Sequence, residues 1–366
     1  MIPFLDLHSQ YLSIKDEIDQ AIKDVITNSS FIRGKYVDSF EEKFQELFCV
    51  PYCISCGNGT DALFISMKAL DIKYQDEVIV PAHSWISTSE TVTQAGGKVV
   101  FCDVDPDTFT IDPKKIEEKI TSKTVGIIPV HLFGQPAEMD AIMKIAIKNK
   151  LWVIEDCAQA HLAKFKNQIV GTFGDVGTFS FYPGKNLGAM GDAGAIITKS
   201  ENLQNKIKMY ARHGGLKKGQ HIIEGINSRM DGIQAAILLI KLKYLNEWTN
   251  KRISNAALYK EILLENNDLQ LPKEREFAKH VWHLFVIKSK KRDLLAKTLL
   301  DKGIQTIINY PVALPFLPAY KYLNHVQDDF MNSFTNQSLI LSIPNYPELS
   351  KENIYLIADA INQFHN

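Results

Sequence analysis

Apolar positions recur at helical spacing in the opening of the chain: Ile14, Ile18, Ile22 and Val25 share one face, and Phe40, Phe44 and Leu47 repeat the pattern after Gly34. Two amphipathic helices are therefore expected first. From about residue 52 the texture changes to short apolar runs alternating with helical patterns. YCIS, EVIVP, KVVFCDV, VGIIPVHLF and LWVIED read as strands, with helices over 61–69 and 137–148 between them. Runs apolar on both faces belong to buried strands, so the alternation predicts an α/β protein with a mostly parallel central sheet. GTFSFY and AGAIIT, flanking a Gly-rich loop, add two more strands, and helices follow near 201–213 and 228–245. After about residue 250 come a strand-like HLFVIK, a helix over 292–302, a Pro-rich stretch over 311–318 and a closing helix over 351–364. The expected division is a large domain at 1–249, including the two opening helices, and a smaller C-terminal α+β domain at 250–366.

Composition narrows the function classes. A chain of 366 residues that is 45% hydrophobic can bury a substantial core. Forty-one basic against 42 acidic side chains leave a formal charge of −1, so no polyanion such as nucleic acid is expected as a partner. Any phosphate must be held locally. MIPFLDLHSQ has no basic segment followed by an apolar run, and no stretch approaches the roughly 18 apolar residues of a membrane span. No membrane association is expected. Five cysteines form no even disulfide framework, which suits a reducing cytoplasm.

Ligands of open α/β sheets gather at the carboxyl ends of the strands, so polar residues just after each apolar run come first. Gly57-Asn58-Gly59-Thr60-Asp61 follows YCIS as a small-residue turn entering a helix, able to hold a phosphate or simply to cap the helix. LWVIED delivers Asp156, with Gln159 three residues on. A carboxylate on a cleft floor can bind a protonated heteroaromatic nitrogen; the alternative is a capping Asp followed by a solvent-facing Gln. GTFSFYPGKNLGAMGDAG places Ser180 at a strand end and Lys185 among Gly184, Gly188, Gly191 and Gly194. A confined lysine can be neutral enough to form a Schiff base, whereas a surface lysine in a flexible hairpin is the plainer alternative. Asn227-Ser228-Arg229-Met230-Asp231 precedes a long helix and reads by itself as an N-terminal cap.

Taken together these segments are more specific than any one of them. From FLDL through GNGTDAL, PAHSWIST, HLFGQPAEMD, EDCAQAH, SFYPGKNLGAMGDAG and NSRMDGIQAA to LSIPNYPEL, the sequence resembles the DegT/StrS family of sugar-nucleotide aminotransferases. That resemblance implies the aspartate-aminotransferase type of fold and the cofactor pyridoxal 5'-phosphate. It implies that Lys185 carries the cofactor as a Schiff base, Asp156 pairs with the pyridine nitrogen and Gln159 approaches the ring hydroxyl. Gly59, Thr60 and Ser180 would hold the phosphate, Trp85 would stack on the pyridine face, and Asn227 would reach the phosphate of a neighbouring subunit in a homodimer with shared sites. The implied reaction moves an amino group from L-glutamate to a nucleotide-linked keto sugar. YPGKNLGA followed by GDAG resembles the members that aminate C3, with C4 amination as the alternative; a non-catalytic sensor using the same fold is the other rival. Members with histidine in place of the lysine are dehydratases, and Lys185 opposes that reading.

Other residues are set aside. Cys53 and Cys56 have the spacing of a redox or zinc pair but sit in an expected strand with no second pair, and read as packing. His131 and His161 are expected to hydrogen-bond behind the site rather than to bind a metal. Two departures from the family pattern, Leu162 for a usual glycine and Asn309 for a common histidine, bear on the substrate.

Overall fold

The computed structural model describes residues 1–217, 219–265 and 268–365. Up to Thr198 its strands are β1 (Tyr52–Cys56), β2 (Glu77–Pro81), β3 (Lys98–Cys102), β4 (Thr124–Ile127), β5 (Trp152–Asp156), the short hairpin β6 (Lys164–Phe165) and β7 (Gln168–Ile169), β8 (Val176–Ser180) and β9 (Gly194–Thr198). All but β6 and β7 form one seven-stranded sheet in the order β1-β9-β8-β5-β4-β2-β3, with β9 alone running against its neighbours. β1, β2, β5 and β8 therefore end on the same edge, as a mostly parallel sheet requires.

Side-chain alternation sends Ile54, Val78, Ile154 and Ile196 into a core on one face, under α4 (Gly59–Ala69), α5 (Ser87–Gln94) and α8 (Glu201–Ala211). Cys53, Phe179 and Ile197 enter the other face, with α3 (Lys35–Phe48) and α9 (Gly232–Ile262). Cys53 and Cys56 thus lie on opposite faces of the sheet, both free thiols pushed up in pKa by burial, and cannot act as a pair. On α3 the i, i+4 spacing of Phe40, Phe44 and Phe48 stacks three rings, with centroids 5.5 and 4.6 Å apart, against the edges of Phe179 and Phe181. This cluster backs the strand that ends at Ser180.

The opening residues form α1 (Leu7–Ser13) and α2 (Lys15–Thr27), broken at Ile14; α6 (Pro113–Ile116) and α7 (Met139–Asn149) complete the large unit. The C-terminal unit has β10 (Leu269–Gln270), β12 (Phe285–Ser289) and β13 (Ile340–Ile343) in an antiparallel sheet, with α10 (Arg292–Asp301), α11 (Met331–Leu339) and α12 (Lys351–His365); β11 (Ala278–Lys279) instead pairs with β6. The expected boundary at 249/250 falls inside α9. At 31 residues, about 46 Å at 1.5 Å per residue, this helix carries Ala235 and Leu238 in the large core and Ala256 and Tyr259 in the small one. Ile2 pairs with Ile304, so the first residues also pack on the C-terminal unit. No helix among the described residues is long and apolar enough to cross a membrane.

Candidate active site

The residues singled out after β1, β5 and β8 converge at the shared strand edge. Asn58 caps α4 by accepting from the Asp61 N–H at 2.8 Å, leaving the amides of Gly59 and Thr60 at the helix start. A Cβ on Gly59 would sit 2.7 Å from the Ser180 Cβ, so only glycine lets this turn close on the end of β8. The Thr60 hydroxyl pairs with Ser87 Oγ at 2.7 Å. A helix start flanked by the hydroxyls of Thr60, Ser87 and Ser180 suits a phosphate.

Asp156 is 5% exposed. Its carboxylate accepts from Thr88 Oγ1 at 2.9 Å and from the Ala158 N–H at 3.1 Å, and no helix follows for it to cap. Burial raises its pKa; the two hydrogen bonds and the nearby Lys185 offset this only in part. Gln159, expected to face the ring hydroxyl, is buried. Its Oε1 accepts the Phe133 N–H at 2.6 Å and its Nε2 donates to the Tyr310 hydroxyl at 2.9 Å. The solvent-facing alternative does not hold.

Lys185 follows β8 in a tight loop, where its N–H donates to Tyr182 O at 2.8 Å. The residue is half-buried, and its side chain makes no hydrogen bond or ion pair among the described residues. Burial draws its ammonium pKa down to about 8, against the pull of Asp156. A fully exposed surface lysine would keep its ordinary pKa. Trp85, 57% exposed, stands at the mouth with its ring 5.5 Å from Tyr310.

Asn227 is exposed four residues before Asp231, which holds the N-cap position of α9, so Asn227 is not that helix's cap. Its backbone bridges to Arg212, while the adjacent Ser228 accepts from the Gly57 N–H at 2.9 Å and donates to Asp61 at 2.6 Å. The segment thus borders its own chain's turn with the Asn227 side chain left outside.

The two histidines, expected to hydrogen-bond behind the site, differ from each other: His131 does so and His161 does not. His131 accepts from the Ala137 N–H at Nδ1 (3.0 Å), which fixes the proton on Nε2, and Nε2 donates to Glu155 at 3.1 Å. His131, Glu155 and Cys157 lie close enough to suggest a metal, but the Glu155 carboxylate already accepts from the N–H groups of Gly171, Phe173 and Gly174. Its lone pairs serve the fold. His161, expected to hydrogen-bond, has neither ring nitrogen partnered among the described residues; it is fully buried beside Phe179 and Phe181, and burial lowers its pKa to about 3.

Thr88, Ser87 and Tyr310 were not anticipated. Their signals were the polar run of α5, whose hydroxyls have no place in an apolar periodicity, and the tyrosine beside the noted Asn309.

The sequence profile of the DegT/DnrJ/EryC1/StrS aminotransferase family matches residues 12–362. The chain is 42% identical over 367 aligned positions, covering 100% of it and 99% of its relative, to a dTDP-3-amino-3,6-dideoxy-alpha-D-galactopyranose transaminase of Aneurinibacillus thermoaerophilus. It is 39% identical over 362 positions, with 99% and 97% covered, to a UDP-N-acetyl-3-dehydro-alpha-D-glucosamine 3-aminotransferase of Acidithiobacillus ferrooxidans. The crystal structure of DesV from S. venezuelae in complex with a ketimine intermediate superposes with a TM-score of 0.97 at 35% identity, covering 99% of this chain and 98% of that one. Matched along nearly its whole length by these relatives, the chain belongs to the DegT/DnrJ/EryC1/StrS family of pyridoxal-phosphate-dependent aminotransferases.

Proposed function

We propose that the chain transfers an amino group from L-glutamate to C3 of a nucleotide-linked 3-keto sugar, with Lys185 joined to the cofactor and Asp156 beneath its ring nitrogen. The observation that carries the assignment of the residues is that Lys185 and the buried Asp156 carboxylate lie within electrostatic reach of each other, on the strand edge where the Gly59 turn closes on Ser180. Pyridoxal phosphate fits these groups. Its pyridinium would satisfy Asp156, its phosphate the cradle of Gly59, Thr60 and Ser180, and its face the Trp85 indole; Gln159 would hold the ring hydroxyl's side of the site with Tyr310. When bound, the cofactor supplies a carbonyl for imine chemistry and a ring that withdraws electrons from the carbon losing a proton.

This chain's groups do the rest. Asp156 stabilises positive charge at the ring nitrogen. Lys185, its ammonium drawn down to about 8 by burial, would be neutral in a substantial fraction at that pH, and its Nζ could take a proton from the donor's carbon in one half-reaction and deliver one to the acceptor's carbon in the other. The activities of the two relatives support a C3 keto sugar on a nucleotide, as does YPGKNLGA with GDAG. Incubation with a panel of dTDP-, UDP- and GDP-linked keto sugars and glutamate, followed by mass spectrometry, tests this. Amination only of 4-keto sugars would replace C3 by C4, and no amination of any would leave the sensor reading.

The active unit is a homodimer in the cytoplasm, with Asn227 of one protomer completing its partner's phosphate site. Exposed Phe31, Ile32, Trp85, Tyr182, Met190 and Ile222 support a covered face, and five free thiols support a reducing compartment. Mixing Lys185→Ala chains with Asn227→Asp chains tests the sharing. A mixed dimer would place both defects in one site and restore the other, so recovered activity approaching the statistical share of heterodimers is expected. No recovery in heterodimers seen by native mass spectrometry would mean that Asn227 serves its own chain.

A further inference from the structure

The loop that presents Lys185 is gripped from outside, and one grip is a buried cation with no role in the chemistry above. Lys241 lies in the apolar first half of α9 and is 4% exposed, yet its ammonium donates to the Gly188 carbonyl at 2.8 Å. No other donor among the described residues reaches that carbonyl, and burial draws the Lys241 pKa down to about 8 with only Glu348 opposing. Gln234, two helical turns earlier on the same face, holds Met190 by both ends: its Oε1 accepts the N–H at 2.9 Å and its Nε2 donates to the carbonyl at 3.3 Å. On the other flank Asn186 donates to Val281 O at 3.2 Å and pairs with His283 Nδ1 at 3.1 Å.

The loop therefore has fixed points at residues 186, 188 and 190. A side chain at Gly188 would overlap the Pro183 carbonyl, so the chain doubles back tightly beside Lys185. Lys185 itself has no partner among the described residues, which leaves the position of its amine to the loop alone. A lysine is an expensive way to fill an apolar helix face, and a methionine would occupy the same volume without burying a charge. What lysine adds is a donor long enough to reach a buried carbonyl three residues from the Schiff-base position.

We propose that Lys241 is a positioning residue for Lys185, fixing the Gly188 carbonyl and thereby the reach of the Lys185 amine to the cofactor's aldehyde. The proposal rests on the assignment of Lys185 as the cofactor lysine. Its test compares apoprotein binding of pyridoxal phosphate, which can join Lys185, with that of pyridoxamine phosphate, which cannot. Lys241→Met removes the donor at nearly constant volume; Lys241→Gln keeps the site polar but is shorter; Lys241→Arg retains a cationic donor. In the Met and Gln variants the ratio of the two affinities should fall about tenfold and imine formation should slow by about as much or more, while pyridoxamine phosphate binding changes less than about twofold. The Arg variant should recover most of the ratio.

An unchanged ratio in a folded Met or Gln variant would overturn the proposal, leaving Lys241 a structural residue, and the Gln variant decides if the Met variant does not fold. Equal loss of both affinities would also overturn it, because the defect would then lie in the phosphate cradle or the fold. A wild-type protein that bound both forms equally would overturn the Lys185 assignment itself, and this proposal with it.

Discussion

Glu155 and Asp156 are neighbours on one strand, both buried, and they meet opposite fates. Glu155 points to the side where three backbone N–H groups and His131 converge, so each carboxylate oxygen accepts two hydrogen bonds. Asp156 points to the cleft, accepts only from Thr88 and Ala158 among the described residues, and is held above its ordinary pKa by burial. A saturated buried carboxylate is architecture: it ties the turn at 171–174 and the loop at 131–137 to β5. One with fewer hydrogen bonds at a cleft keeps acceptor capacity that the proposed cofactor nitrogen would use. The difference arises from strand geometry alone, since adjacent side chains leave opposite faces of a sheet.

The largest effect that bears on this contrast is expected at Lys185. Lys185→Ala should lower transamination by more than about a thousandfold and abolish borohydride-fixable cofactor, with the fold retained. Wild-type turnover, or labelling of another lysine, would remove Lys185 from the chemistry. Next comes Glu155→Ala, which strands three N–H groups and His131 and should cost about 3–5 kcal/mol of stability, read as a lowered urea midpoint. A cost under about 1 kcal/mol would mean that the saturated network carries little.

Asp156→Asn separates the two roles most sharply. It should slow the glutamate half-reaction by about a hundredfold or more, because no negative charge remains opposite the ring nitrogen. Yet the apoprotein should lose no stability at pH 7. The sign follows from the raised pKa: a carboxyl that resists ionisation when folded costs stability as pH climbs past its unfolded value, and Asn does not ionise. An apoprotein destabilised as much as Glu155→Ala would erase the distinction between the two carboxylates.

The parts of the fold legible in the sequence are those where burial is apolar. EVIVP and LWVIED announce strands because both faces need apolar side chains, and the Phe40, Phe44 and Leu47 repeat announces α3. α5, Ser87–Gln94, passed unread because all its buried residues but Val92 carry hydroxyls, satisfied by partners such as Asp156 for Thr88 and Tyr320 for Ser89. α9 was expected to end near 245 because its apolar face changes partner midway, from the sheet to the C-terminal core. In the site, Asp156, Ser180 and Lys185 were legible from their places after strands. Tyr310 and Lys241 were not, since their meaning lies in contacts 151 and 53 residues away along the chain.

The smallest effect at neutral pH is expected at His161, the ring that repeats the carboxylate contrast in another chemistry. Both it and His131 are fully buried, but only His131 has its nitrogens bonded. His131→Phe should therefore cost about 2–4 kcal/mol, whereas His161→Phe, which removes two unpartnered nitrogens between Phe179 and Phe181, should change stability by less than about 1 kcal/mol at pH 7. Acid separates the wild type from the His161 variant. With a folded pKa near 3 and an unfolded value of 6.5, the unfolded chain takes up a proton that the folded His161 refuses. That residue's share of stability falls by about 1.4 kcal/mol per pH unit below 6.5, or about 2 kcal/mol by pH 5, and phenylalanine removes the loss. Urea midpoints of the two proteins should lie close together at pH 7 and separate at pH 5, with the wild type falling more steeply. Parallel loss in the two proteins would mean that His161 finds a partner for its charge, and that its bare nitrogens are not the counterpart of the poised Asp156.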